Sequence, residues 1–417
     1  MMYREEKYDS QAHLYAKSIN KWESVDLGNS RNFAYISQSV QQVYDGNATH
    51  KDKAQSYTYN TSNGNLTQQT NWGEVTGNDD GTFQDIGSDH LITDIAYVTN
   101  GTLLVGLPLQ EITNDNQNNK VAQTNYYYDA LPFGQVTIGN LTKQEQWVNG
   151  LSFINIQKSY NQYGLVTQEQ DPKGNPTTYT YDAYNLYPSS ITNALNQTSQ
   201  VTYNYAYGLI KNTTDPNNSK STTTYDGLGR VTATQVSDPA NPQNLITTST
   251  TTYDTLNFPQ SVTQTAFAGN GIDITSVTYL DGLSRTIQNK TEAEGVNTFI
   301  VSSIIYNALG QVQKELLPAF TSGTTFENIN AQNPGTQYSY DALGRVTTTT
   351  NTLGTTATTY DDWKVTITDP NSKQKTLQYD AQENLVQVLE YLNGASYATT
   401  YAYDAQKNLT TITDAKG

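Results

Sequence analysis

The strongest constraint on this chain is a turn that it writes twice. Residues 222–232 read Thr-Thr-Thr-Tyr-Asp-Gly-Leu-Gly-Arg-Val-Thr, and residues 338–347 read Tyr-Ser-Tyr-Asp-Ala-Leu-Gly-Arg-Val-Thr. Two polar, β-prone runs flank a short loop. In that loop Asp226 or Asp341 can accept hydrogen bonds from turn N–H groups. Gly229 or Gly344 can supply the positive φ that a longer hairpin loop needs. The stretch predicts strand, turn, strand. Weaker copies place the leading tyrosine at Tyr128, Tyr160, Tyr181, Tyr203, Tyr253, Tyr279, Tyr306, Tyr360, Tyr379 and Tyr403. Their spacing suits a unit of two strands and two turns.

A second turn alternates with the first. It reads Asp-Pro-Lys-Gly at 171–174, Asp-Pro-Asn-Asn at 215–218 and Asp-Pro-Asn-Ser at 369–372. Proline presets φ and the preceding aspartate caps the turn. Turns of two kinds at opposite ends predict a continuous antiparallel meander. Helical periodicity is almost absent. Alternation in Thr178-Tyr179-Thr180-Tyr181 and in Tyr401-Ala402-Tyr403 places rings on one face. Such rings are expected to stack as cross-strand ladders with their hydroxyls in water.

Composition supports a large, thin β structure. Apolar residues make up 35% of the chain with 32 tyrosines counted, and charged residues only 15%. Thr, Asn, Gln, Ser and Tyr fill the difference, and they suit pleated surfaces and turns. There are no cysteines, which excludes disulfides, thiolate metal sites and cysteine nucleophiles. A net charge of −16 argues against nucleic acid and anionic membrane surfaces as partners. No apolar run is long enough to span a bilayer, and the opening residues 1–8 lack the apolar core of a signal peptide.

Toward the N-terminus the pattern is less regular. Residues 1–56 give only one strand and turn, at 40–47. Residues 57–67 form a repeat-like hairpin with Asn60 for Asp, and 72–87 read as a polar loop. Strands are expected over 91–98, 102–112 (broken by Gly106 and Pro108) and 121–128, with a turn at 114–119. The domain reading is a β-rich, irregular segment over 1–120 leading into a repeat array over 121–417. The last residues begin another turn, so the array is expected to be a truncated fragment.

Tyr-Asp-x-x-Gly-Arg-Val is the signature of the YD repeat of Rhs proteins, and the chain resembles that family. Complete copies are Tyr225, Asp226, Gly229, Arg230 and Tyr340, Asp341, Gly344, Arg345. Degenerate copies include Tyr306 with Gly310, Tyr160 with Gly164, and Tyr279, in which Ser284 replaces the glycine. At Tyr379-Asp380 and Tyr403-Asp404 an asparagine is read as replacing the glycine, which keeps access to left-handed φ. Residues 102–161 are also similar to the stretch preceding the repeats in B components of bacterial Tc toxins. The resemblance implies an all-β sheet that curves or spirals into a partial hollow shell. It implies a non-enzymatic role, enclosing a toxic or unfolded C-terminal polypeptide in a secreted or cell-surface protein. Teneurins use related repeats in adhesion receptors. The self-cleaving protease motif and variable toxin that end many family members are not visible here.

Candidate chemistry outside the repeats is sparse. His13, His50 and His90 show no metal-ligand spacing and read as loop residues. Asn78-Asp79-Asp80-Gly81 with Asp85 could hold calcium, but lacks the alternating spacing of an EF-hand loop; a solvated acidic loop is preferred. Asp361-Asp362 is assigned to a repeat turn. Arg230, Arg285 and Arg345 could form a ligand row; the preferred reading is that they stack on rings or pair with neighbouring carboxylates. Sequons at Asn47, Asn140, Asn196 and Asn212 are attributed to composition. No catalytic residue, cofactor or metal is assigned. The alternative function is an adhesin or fibre subunit that binds carbohydrate or copies of itself through exposed strands.

Overall fold

The computed structural model describes residues 2–99, 106–267 and 272–416. They form β-strands, turns and loops, with no helix among them. The chain divides into two compact units. The first comprises residues 1–158, 339–349 and 353–417, and the second residues 159–338 and 350–352.

The second unit shows how the repeats build a sheet. Lys220–Tyr225 pairs antiparallel with Val231–Asp238, and on its other side with Leu209–Thr214. The same neighbour-to-neighbour pairing runs through Pro176–Tyr181, Pro188–Thr192 and Thr198–Asn204. Register shifts between the residue before the motif tyrosine and the tyrosine itself, as at Thr180/Tyr181, Thr202/Tyr203 and Thr224/Tyr225. One extra residue on one strand is a β-bulge, which bends the strand and increases its twist. The bulge recurs in several of the repeat hairpins and adds local twist there, while the hairpins at Tyr253 and Tyr360 pair without it. One insertion interrupts the meander. Thr298–Tyr306 pairs through its end with Val312–Leu316 and through its start with Ala319–Ser322. The following segment, 323–334, passes over side chains of Thr286–Glu292 before Gly335–Tyr340 rejoins the sheet beside Val312–Leu316.

In the first unit the N-terminal residues are more regular than their sequence suggests. Met2–Tyr8, Leu14–Asp26, Asn32–Val43, Lys51–Asn60 and Asn65–Gly77 form consecutive antiparallel pairs. The polar loop expected over 72–87 is a correction. Residues 72–77 continue a strand, because Trp72 packs with Phe83 against buried Val40, Ala54 and Val75 and donates its Nε1–H to Ser56 Oγ at 2.9 Å. A second small core joins Val98, Tyr128 and Val136 with Leu107, Leu109, Tyr126 and Leu141. Of the strand expected over 102–112, residues 102–105 lie outside the described residues, and Pro108–Asp115 is a strand. Among the described residues Met2–Tyr8 pairs with Leu14–Asp26, and Leu409–Thr413 with Ala395–Tyr403.

Candidate functional site

Both sequence turns fold into one five-residue geometry. At Asp226 the backbone N–H donates to Arg230 O at 2.9 Å, and Gly229 N–H donates to Asp226 O at 3.1 Å. Asp226 Oδ1 accepts from the N–H groups of Leu228 (2.9 Å) and Arg230 (3.0 Å). The fourth residue must adopt left-handed φ, and Gly229 does so at +79°. Asp215 does the same in an Asp-Pro turn, accepting from Asn217 and Ser219 at 2.9 and 2.8 Å.

Two side chains carry each turn to the next. Arg230 Nε and Nη2 both donate to Asp226 Oδ2 at 2.7 Å, a forked charge-assisted contact. The guanidinium then lies 4.1 Å from the centre of the Tyr253 ring, the tyrosine of the following repeat. Arg285 repeats this on Tyr306 at 4.3 Å, and Arg345 on Tyr360 at 4.0 Å. The tyrosine closes the link. Tyr253 OH donates to Val231 O at 2.9 Å, directly after Arg230. Equivalent bonds run from Tyr225 to Ile210 O, Tyr306 to Thr286 O, Tyr360 to Val346 O and Tyr403 to Leu385 O, at 2.6 to 3.0 Å. Electrostatics follow the geometry. The backbone N–H of Arg230 holds the Asp226 carboxyl below the usual carboxylate range, opposed by burial and helped by the Arg230 side chain. Asp281 sits below the usual range under the same influence from Arg285.

Two sequence expectations need correction here. The motif tyrosines do not leave their hydroxyls in water or stack mainly on one another. The hydroxyls of Tyr128, Tyr181, Tyr203, Tyr225, Tyr253, Tyr306, Tyr360 and Tyr403 are spent on backbone carbonyls, and the rings of Tyr253, Tyr306 and Tyr360 are taken by arginine. Among the motif tyrosines Tyr203 does stack, on the non-motif Tyr187, with centroids 4.6 Å apart. At Asp380 and Asp404 asparagine does not replace the glycine. Glu383 and Lys407 occupy the left-handed position, at φ of 66° and 63°. Asn384 and Asn408 stand in the arginine position, donating Nδ2–H to Asp380 Oδ2 and Asp404 Oδ2 at 2.9 and 3.0 Å. Asparagine thus replaces one arm of the guanidinium fork and gives up the ring contact.

The other candidates are engaged by neighbours. His13 pairs with Asp9 at 2.8 Å, His50 with Asp52, and His90 with Asp85 at 3.1 Å. Asp79 accepts from buried Lys17 at 2.5 Å, and Asp80 caps Thr82 N–H at 2.9 Å. Asp361 and Asp362 belong to a tighter turn, in which Asp362 and Trp363 take left-handed φ and Asp361 pairs with Lys364. Among the described residues no group of three or more acidic, His or Cys side chains could hold a metal.

Two polar clusters escaped sequence reading. In the second unit Lys290, fully buried, donates to Glu327 Oε1 at 2.6 Å and to Gly323 O at 3.2 Å. Gln288, also buried, donates to Glu327 O at 3.1 Å and accepts from Glu327 N–H at 3.0 Å. Together they strap segment 323–334 onto the sheet. In the first unit Arg345 Nη2 binds a second carboxylate, Asp45, at 2.7 Å. Lys53 pairs with Glu383 at 2.9 Å, Asn71 bonds Gln382 at 2.9 Å, and Gln406 donates to Val121 O. Residues separated from them by hundreds of positions hold these turns, a relation no local pattern records.

Comparison with known proteins places this geometry. Residues 257–362 match a family described as a domain of unknown function, DUF6443. No curated protein matches the sequence. Solved structures do. Over 97% of this chain the fold superposes on the crystal structure of TcdB2-TccC3, with a TM-score of 0.78, 12% identity and 28% of that chain covered. TcdB2-TccC3 without its hypervariable C-terminal region gives 0.79 at 11% identity, over 97% of this chain and 30% of that one. The Photorhabdus luminescens Tc holotoxin pore gives 0.79 at 11% identity, over 98% and 30%. The chain therefore spans under a third of the length of these chains. In its fold this chain is similar to these Tc toxin structures, and its repeated Tyr-Asp hairpins resemble the YD repeat of Rhs proteins.

Proposed function

We propose that the chain is a structural, non-enzymatic segment of a β-shell that encloses a toxic or unfolded polypeptide within a secreted or cell-surface protein. The observation that carries this reading is the superposition of 97% of the chain on TcdB2-TccC3. The physical character of the sheet supports it. Buried apolar groups are small and scattered, and Thr, Ser and Gln occupy much of the half-buried surface. A polar, hydrated wall would hold an unfolded chain without capturing it by hydrophobic contact. The repeat residues Asp226, Arg230, Tyr253 and their equivalents then act as fasteners of the wall. The test is protease protection in the parent protein. Digestion should cleave a protease-sensitive reporter placed after the repeats much more slowly than the same reporter free in solution. Equal cleavage rates would reject enclosure. A fibre or adhesin would instead show intermolecular strand pairing or saturable glycan binding.

A further inference from the structure

The third residue of the five-residue turn is a contact position. Wherever the N-terminal strands of the first unit hold a repeat turn, this residue takes part. Leu343 is half-buried and lines, with Val43, Asp45 and Trp363, a cavity of about 490 Å³. Gln382 and Gln406, at the same position in later turns, make the hydrogen bonds to Asn71 and Val121 O. In the second unit the same position is apolar and bare. Tyr163, Tyr184, Leu228, Leu256, Leu283 and Leu309 are between 61% and 96% exposed. Each N–H donates to its own Asx side chain, as in Leu228 and Leu309, so the side chains occupy equivalent places. Successive motif turns are two strands apart on one edge, which spaces the tips about 10 Å from each other. A row of large apolar groups of this kind is a mark of an interaction surface.

We infer that this row is a docking ridge for a partner polypeptide, and that the first unit displays the chemistry it accepts: a β-hairpin offering an aliphatic side chain and a carboxylate two residues later, as Asp45 pairs with Arg345 while Val43 faces the cavity that Leu343 also lines. The leucine tip would take the aliphatic group. Arg230 and Arg285 hold their own aspartates as Arg345 does, and would receive the carboxylate as Arg345 receives Asp45. This goes beyond the shell reading, because the ridge lies on the turns and not on the sheet face.

The test uses the full chain and a fluorescein-labelled peptide of residues 40–54, cyclised through its ends because Val40 pairs with Ala54. Anisotropy should show saturable binding. The L228N/L283N/L309N variant should weaken it by about tenfold or more, and an Asp45→Asn peptide should also bind more weakly. Single L228N and L309N variants, whose exposed tips leave thermal melting unchanged, guard against a folding defect. Absence of saturation up to about 1 mM peptide, or equal affinity for the leucine variants, would overturn the proposal. Cargo protection is expected to be unaffected by these substitutions, so the two readings fail separately.

Discussion

Removing either end of the Lys290–Glu327 pair should have unequal consequences. Lys290→Met keeps an unbranched stem in the same space and deletes the ammonium. It abandons the charged bond at 2.6 Å and the weaker one to Gly323 O at 3.2 Å. The Glu327 side chain that is left behind is 43% exposed and can rehydrate. A hydrogen bond to a charged group is worth about 1.5–3 kcal/mol, and easy rehydration puts this loss near about 1–2 kcal/mol. Glu327→Ala does the reverse. It strands an ammonium with no solvent exposure, for which the cost is about 3–5 kcal/mol. The double variant should fall near Lys290→Met alone, since no buried charge remains. Urea unfolding followed by far-UV circular dichroism resolves the gap, because about 2 kcal/mol moves a midpoint by about 1 M at typical slopes. All four tryptophans, Trp22, Trp72, Trp147 and Trp363, lie in the first unit. Their fluorescence is therefore a control that should not move, while amide exchange of 323–334 should quicken. If Glu327→Ala costs no more than Lys290→Met, the argument from the buried ammonium is wrong.

Three other outcomes follow from the same physics. Arg345→Ala should destabilise by about 3–5 kcal/mol in thermal or urea unfolding, because it strands the buried Asp45 carboxylate. Arg230→Ala, whose carboxylate partner is solvent-accessible, should cost clearly less in the same assay. Tyr253→Phe removes only the bond to Val231 O and should cost about 1 kcal/mol, read as a shift in the unfolding midpoint of the second unit. Burial alone would raise the Asp129 carboxyl, but N–H donors from Gly139, Thr137, Ile138 and Asn140 hold it at about 2. A depressed carboxyl contributes stability above its unfolded pKa of about 3.9 and loses it as pH falls toward the folded value. Exchange protection of residues 137–140 should therefore persist at pH 5 and fade between about pH 4 and pH 2, and Asp129→Asn should abolish that dependence.

The sequence alone determined the hairpin, its turn and its repetition. Those depend on contacts within five residues: an aspartate that reaches two N–H groups, a residue that tolerates positive φ, and flanking β-branched runs. Local chemistry of that range is written in consecutive letters, and so the meander was legible from 222–232 and 338–347. The sequence was misleading where a position is defined by geometry instead of by residue type. Glu383 takes the glycine place in its turn, because backbone hydrogen bonds to Asp380 offset the strain. Residues 72–77 extend a strand because Trp72 finds Val40, Ala54 and Val75. Only the tertiary structure decided what each fastener holds. Arg230 and Arg345 share a motif, yet one serves its own hairpin and the next, while the other also neutralises Asp45, 300 positions away. Lys290 is an ordinary strand lysine by sequence and a buried strap anchor in the fold. Burial and long-range charge pairing depend on which distant segments share a place, and a repeat copied many times carries no local mark of which copy will be covered.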